Sequence, residues 1–396
     1  MSIVSGSQGL ENKDYEIVKL NLLAFPRDVT PICELTGSKA TVQLVTSYCS
    51  FYYANEECAQ QAWFGILKKI VHLLPPLLQS PPIVGTQEER AKRSKALLLN
   101  KKSLAEYCLT EASNLLSVRK FQLAKPAALQ ALKFFQALDG ERAVSTIEPY
   151  LQLGQSSLGM QDIKKAEEFL SLANWIILNN DVSDKIRSKF HILLGRVFVA
   201  RGDFEHAKSE FASCIFHSSK YYGAESITTS MGYFRLGDAF LALGNVEVAL
   251  DFYDKVVDIW YKYLTKLYTV QSATNTRTSK GILTLAVPSK PTESSKMDDT
   301  DMNIGEALTE EEIADGRSQL AQILDNRRRI LGNRHIAIGE VQYTLGLFEY
   351  LILNSDNAAS TFTLAALEAY ESNYGVEHMS TKHVAIVHEL INSRNG

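Results

Sequence analysis

The side chains best suited to chemistry are five cysteines, a few histidines and one arginine run, and their spacing argues against an active centre. Cys33, Cys49, Cys58, Cys108 and Cys214 are odd in number, scattered and mostly set inside apolar helical patterns. Such usage fits reduced thiols better than a disulfide framework, and it predicts the cytoplasm or a compartment continuous with it. His378, His383 and His388 sit close in sequence, yet they lack the one-turn spacing of a helical metal pair and read as surface or packing residues. Arg327, Arg328 and Arg329 end a helical stretch, where the helix dipole favours positive charge, a role that ranks above a phosphate site. No Gly-x-x-x-x-Gly-Lys, His-Glu-x-x-His or Gly-x-Ser-x-Gly motif occurs, which leaves phosphate-loop, zinc-protease and serine-hydrolase chemistry without residues. The expectation is a non-enzyme with no catalytic residue and no cofactor.

Composition narrows the class further. The chain has 396 residues, 45% of them hydrophobic and 22% charged, which is globular composition in enough length for one large or two ordinary domains. A formal net charge of −4 offers no basic surface to displace counterions from a phosphate backbone, so nucleic acid is not an expected partner. Met1 to Leu10 lacks a basic region followed by an apolar core, and no run reaches the roughly 18 apolar residues of a membrane span. A soluble intracellular protein with no membrane partner is expected.

The elements that must position any site come from a repeat. In Phe121-Gln-Leu-Ala124, Ile163-Lys-Lys-Ala166, Phe204-Glu-His-Ala207 and Val246-Glu-Val-Ala249 the alanines fall 42, 41 and 42 residues apart. Leu153-Gly154, Leu194-Gly195 and Leu236-Gly237 stand upstream of the last three. A fourth pair, Leu345-Gly346, is followed by Ala358, Phe362 and Ala365. Glycine in a first helix lets a second approach closely, and alanine in the second keeps its ridge low enough to seat in the groove. This is the tetratricopeptide pattern, in which no unit buries its apolar face without neighbours. Gly140, Gly223 and Gly332 each precede the next Leu-Gly glycine by 14 residues, where a left-handed stop ends the second helix, and Gly375 closes the last. The predicted fold is all-α, a tetratricopeptide-type superhelix of long hairpins.

Six segments follow. Residues 1–30 form an N-terminal arm or strand pair of mixed polarity, and residues 31–74 a small module. Residues 75–103 hold a linker marked by Pro75-Pro76 and Pro81-Pro82, which cannot continue a helix, with a polar connecting helix resuming near Gln87. Hairpins occupy 104–270. A Ser/Thr-rich insertion at 271–305 carries one apolar segment, Ile282 to Val287, and is expected to fold onto a partner or act as a spacer. Hairpins and a capping helix complete 306–396, starting from Thr309 and Glu312 at capping-box spacing.

The module carries a family resemblance. Cys33-Glu-Leu-Thr, then Tyr52-Tyr53-Ala54 and Cys58, Trp63, and Lys68-Lys69-Ile70-Val-His72 resemble a MYND zinc finger, a pattern of paired cysteines, a tryptophan and a closing His and Cys. Only Cys33 and Cys58 fall on ligand positions. Thr36 and Ala54 replace cysteines, Ile66 and Ile70 lie near the closing ligands, and Cys49 and His72 are off register. Tetrahedral zinc needs four such ligands, so the outline is expected to persist without metal. MYND modules also accompany lysine methyltransferases, but the Asn-His-Ser type motif and the length for a catalytic domain are missing. With Lys125 to Leu132, Tyr222 to Phe234 and Ile259 to Leu264, the order of elements resembles the zinc finger MYND domain-containing protein 12 family. That resemblance implies an axonemal scaffold of cilia and flagella that docks or assembles an inner dynein arm. It implies as partners axonemal proteins, an inner-arm dynein heavy chain and another tetratricopeptide repeat protein, with residence in the cytoplasm before assembly.

Transferring tetratricopeptide geometry puts positions 2, 5 and 9 of each first helix in a binding groove: Glu148, Leu151 and Gln155; Lys189, Ile192 and Arg196; Met231, Phe234 and Asp238. Mixed apolar and charged residues suit a protein ligand. An alternative keeps the fold as a soluble adaptor for chaperones or cargo. The chaperone-tail clamp, however, needs Lys and Asn where Ile192 and Arg196, or Phe234 and Asp238, stand.

Overall fold

The computed structural model describes residues 14–21, 25–26, 30–78, 85–275 and 308–394. Most of the expected arm, the Pro81-Pro82 pair and the insertion from residue 276 on lie outside the described residues. The chain divides into two compact units, Met1–Val182 and Ser183–Gly396.

The first unit opens with a three-stranded antiparallel sheet of β1 (Tyr15–Lys19), β2 (Val42–Thr46) and β3 (Ser50–Tyr53), in that order. Alternation sets its faces: Val42 and Leu44 of β2 and Phe51 and Tyr53 of β3 are buried. Leu44 stands opposite both Ile17 and Phe51. The expected arm and module therefore share one sheet, because β1, from within 1–30, is its edge.

Helix α1 (Glu56–Ala62) starts where the Asn55 side chain accepts the Cys58 N–H at 2.8 Å. It runs through a π-helical turn, Trp63–Leu67, into α2 (Lys68–Ile70), a 3-10 turn and α3 (Pro75–Leu78). The prolines that were expected only to break the chain thus also begin a short helix, where a missing N–H costs nothing. Gly65 in the π turn meets α5 (Phe121–Asp139) closely: a Cβ there would lie 2.5 Å from the Leu123 carbonyl and 2.6 Å from Pro126. Lys133 pairs with Glu34 at 2.6 Å across the same contact.

Helix α4 (Gln87–Ser117) begins in a Thr86/Glu89 capping box and crosses the expected 103/104 boundary without interruption. It pairs with α5, and α6 (Ile147–Gly159) pairs with α7 (Ile163–Asn179). The second unit holds α8 (Asp184–Ala200), α9 (Phe204–Tyr222), α10 (Ile227–Ala242), α11 (Val246–Asn275), α12 (Glu310–Leu331), α13 (Ile336–Leu351), α14 (Asp356–Tyr374) and α15 (Met379–Arg394). Residues 271–275, expected in the insertion, continue α11.

The small-residue register is physical. Ala166, Leu170 and Ala173 are 0–1% exposed, as are Ala249, Tyr253 and Val256. Gly195 shows why no side chain is tolerated: a Cβ would lie 2.4 Å from the buried Phe211 ring. Glycine and alanine sit twelve positions apart at 154/166, 195/207 and 237/249. The same offset before Ala124 lands on Ala112, which is 0% exposed, so α4 is the first helix of a unit with alanine in the glycine place.

In the last hairpin the register differs from expectation. Ala359, Thr363 and Ala366 are the buried set, one residue later than Ala358, Phe362 and Ala365. Helix α14 begins ten residues after Gly346, whereas α7, α9 and α11 begin nine after their glycines, and the longer connection shifts every later position. The helix stops Gly140, Gly223, Gly332 and Gly375 have φ of 97°, 93°, 78° and 84°. At Gly140 ψ is 164°, which is extended rather than left-handed helical and open essentially to glycine alone.

Candidate protein-binding surfaces

Cys33 and Cys58 approach each other in the N-terminal module, with the Cys58 thiol in hydrogen-bonding range of Cys33. Burial raises the Cys33 thiol, but hydrogen bonds from the Thr36 hydroxyl and from the Leu35, Ala54 and Thr36 N–H groups outweigh it and hold the thiol below its ordinary value. Such donors are what a metal-bound sulfur requires around it. The other ligand positions are filled differently: Ile66 and Ile70 are 1% and 0% exposed and pack in the core, and His72 is exposed. Among the described residues no three His, Cys, Asp or Glu side chains gather as a metal site.

The groove candidates divide by burial. On α6, Leu151 is 2% exposed and belongs to the core, while Glu148 and Gln155 are half-buried. On α8, Lys189 is exposed and Arg196 half-buried, and Ile192 packs against the cluster of Phe211 and Leu236. On α10, Met231 is half-buried, while Phe234 and Asp238 are covered by the chain itself. Phe234 is 1% exposed within the cluster that includes Trp260, Leu320 and Ile323. Asp238 accepts from the Tyr253 hydroxyl at 2.7 Å and from Gln322 of α12 at 3.3 Å. Thr228 donates to Glu312 at 3.0 Å, so α12 runs parallel to α10 along this face. Gly316 lets it in, since a Cβ there would lie 2.2 Å from Trp260. Phe234 is thus a packing residue rather than a ligand contact, because the transferred position takes no account of α12, and Leu151 is buried within the first unit.

Five helices build a feature that no local motif announces. A cavity of about 340 Å³ in the second unit is lined by Asp254, Asp258 and Tyr261 of α11, Arg327 of α12, Glu340, Tyr343 and Thr344 of α13, Tyr370 of α14, and His383 of α15. The Tyr261 and Tyr343 ring centroids are 6.1 Å apart, and the His383 ring meets Tyr343 edge-on at 6.0 Å. Burial holds His383 below its ordinary value. Arg327 is 0% exposed; it donates to the Ala337 carbonyl at 2.7 Å and to Asp254. The arginine run therefore places its first member in the core, while Arg328 and Arg329 lie in the last helical turn. His378 accepts the Ser380 N–H at 3.2 Å and stacks on Tyr374, and His388 bonds Thr363 at 2.9 Å.

A tetratricopeptide repeat model matches residues 232–259, the later part of α10 with the first half of α11. Two solved structures are similar at low identity. The apo form of RapI shares 11% identity, with 74% of this chain and 72% of that one covered and a TM-score of 0.35. BtubC (BKLC) from P. vanneervenii shares 13%, with 73% and 83% covered and a TM-score of 0.30. The chain is a helical-repeat protein with tetratricopeptide-type hairpins, and its tetratricopeptide repeat supports a protein-interaction scaffold.

Proposed function

We propose that the protein is a non-catalytic scaffold of the ciliary and flagellar axoneme that docks or assembles an inner dynein arm on the doublet microtubule. Its partners in this reading are an inner-arm dynein heavy chain and another tetratricopeptide repeat protein. The observation that carries the reading is the order of elements: a cysteine-poor MYND-like outline followed by hairpins of about 42 residues. The side chains add support, since on α8 Lys189 is exposed and Arg196 and Ile192 are half-buried, and charge beside apolar area is what a protein interface uses. The test is the double charge reversal Lys189→Glu/Arg196→Glu, expressed in flagellated cells and checked for unchanged helicity. Dynein heavy chain should co-purify at least tenfold less with the variant. Equal recovery would remove this surface from the proposal.

A further inference from the structure

A second cleft in the second unit, built from α12, α13 and α14, has a volume of about 540 Å³, within the size range of binding sites. Its base comes from α13, where Ile338 and Gln342 stand one helical turn apart and are 2% and 7% exposed. Ala365 and Ala369 of α14 lie beside them, and their short side chains leave the space open. The two sides differ in charge. Arg328 stands in the last turn of α12 and Arg334 in the loop that follows, whereas Glu368 comes from α14. Asn373 of α14 donates to the Arg334 carbonyl at 2.9 Å, which ties that loop to α14.

Exposed arginines alone would not make a site. The built feature is Gln342, whose side-chain amide lines the cleft and hydrogen-bonds none of the described residues. The amide is not sealed into the core, so a molecule in the cleft can reach it. A glutamine this deeply buried is seldom left unpaired by its own chain, and an occupant that supplies partners gains hydrogen bonds the fold does not make. The amide both donates and accepts, so a main-chain peptide group matches it, whereas a carboxylate only accepts and would leave the glutamine oxygen unmet. Beside it, the Arg334 guanidinium has no acidic partner among the described residues, and Arg328 has Asp325 at 3.9 Å, at an exposed position. Such guanidiniums fork to a carboxylate.

We propose that this cleft holds a short extended segment of a partner protein that carries one acidic side chain. A main-chain peptide group pairs with the Gln342 amide, and the neighbouring carboxylate lies on Arg328 and Arg334. The segment is extended because a helix spends its N–H and C=O groups internally and has none to offer. Glu368, on the α14 side, repels the same carboxylate and so fixes which side it takes. The inference stands apart from the axonemal reading and from the groove positions on α6, α8 and α10.

The probe is the pentapeptide acetyl-Ala-Ala-Glu-Ala-Ala-amide, titrated into the full chain by calorimetry or by NMR of labelled arginine side chains, against counterparts with Gln or Lys at the centre. The acidic probe should saturate with a Kd on the order of a millimolar, the range for so small a ligand. It should bind at least about fivefold tighter than the Gln probe, the discrimination expected of partly exposed charged hydrogen bonds, and the Lys probe should bind weakest. Arg328→Gln with Arg334→Gln, both at exposed positions, should bring the Glu and Gln probes to the same Kd. Gln342→Leu, which keeps the bulk and loses the amide, should weaken all three probes by a similar factor at unchanged helicity. Equal binding of the Glu and Gln probes by the parent, tightest binding of Lys, no saturation by the acidic probe, discrimination that survives loss of both arginines, or undiminished affinity in Gln342→Leu would each overturn the proposal.

Discussion

Gly195→Ala is the sharpest probe of the repeat. The added methyl lies 2.4 Å from a carbon of the Phe211 ring, closer than any tolerated contact, and Phe211 is 0% exposed with nowhere to turn. Overpacking of this kind costs about 3 kcal/mol, the upper part of its usual range. Alanine in place of a mid-helix glycine returns about 1 kcal/mol. The net loss is therefore about 2 kcal/mol, read by equilibrium urea unfolding of the second unit's transition. Phe211→Leu alone should cost about 1 kcal/mol, the size of a modest core change, because it vacates the space in question. In combination the two should not add: the double variant should be about 2 kcal/mol more stable than the sum of the single losses implies, a coupling large enough to measure. If Gly195→Ala unfolds like the parent, or if Phe211→Leu gives no relief, the glycine is not a close-approach residue and the hairpin argument fails at this position.

Gly154→Ala should be milder, within about 0.5 kcal/mol of neutral, because the Leu170 Cγ and Cδ2 atoms at 3.1 Å need yield only slightly and the alanine's helix preference offsets that cost; a loss above about 1 kcal/mol contradicts this. Gly316→Ala should cost about 2–3 kcal/mol through Trp260 and raise hydrogen exchange in α12 before other helices; uniform exchange would show that α12 is not separately anchored there. Stability should depend on pH through His383. Its folded value is lowered by burial, so the unfolded chain binds more protons and the contribution is complete above about pH 6.5, then lost as pH falls towards the folded value. His383→Gln should flatten that part of the stability profile, and an unchanged slope would exclude His383 as its source. Metal analysis of purified protein should find far less than one zinc per chain, whereas stoichiometric zinc would mean that ligands beyond Cys33 and Cys58 are recruited.

The core of the hairpins was legible because glycine and alanine at fixed offsets leave a trace in sequence: the same twelve-residue step that pairs Gly195 with Ala207 recurs along the chain. The step was hidden in α4, where Ala112 does the work of glycine, and it slipped in the last hairpin, where one extra residue separates α13 from α14. Surface positions were harder. Leu151 and Phe234 occupy places that face a ligand in a regular array, but whether such a place is open depends on what else packs there, and at Phe234 that is α12. Arg327 shows the same limit, since a charged helix end and a buried cation have identical local sequence. The tyrosine and carboxylate cavity draws its lining from residues 254 to 384, a span over which spacing carries no information. Strand β1 was legible only as one of two alternatives for residues 1–30, an arm or a strand pair, because an edge strand with a half-buried face has little alternation to read.

The axonemal role is tested most directly by extracting flagella that carry a tagged copy of the protein, first with detergent and then with high salt. The proposed role predicts that the protein stays with the microtubule doublets through detergent and leaves in salt together with an inner-arm dynein heavy chain. Release of the protein with the membrane and matrix fraction would contradict it.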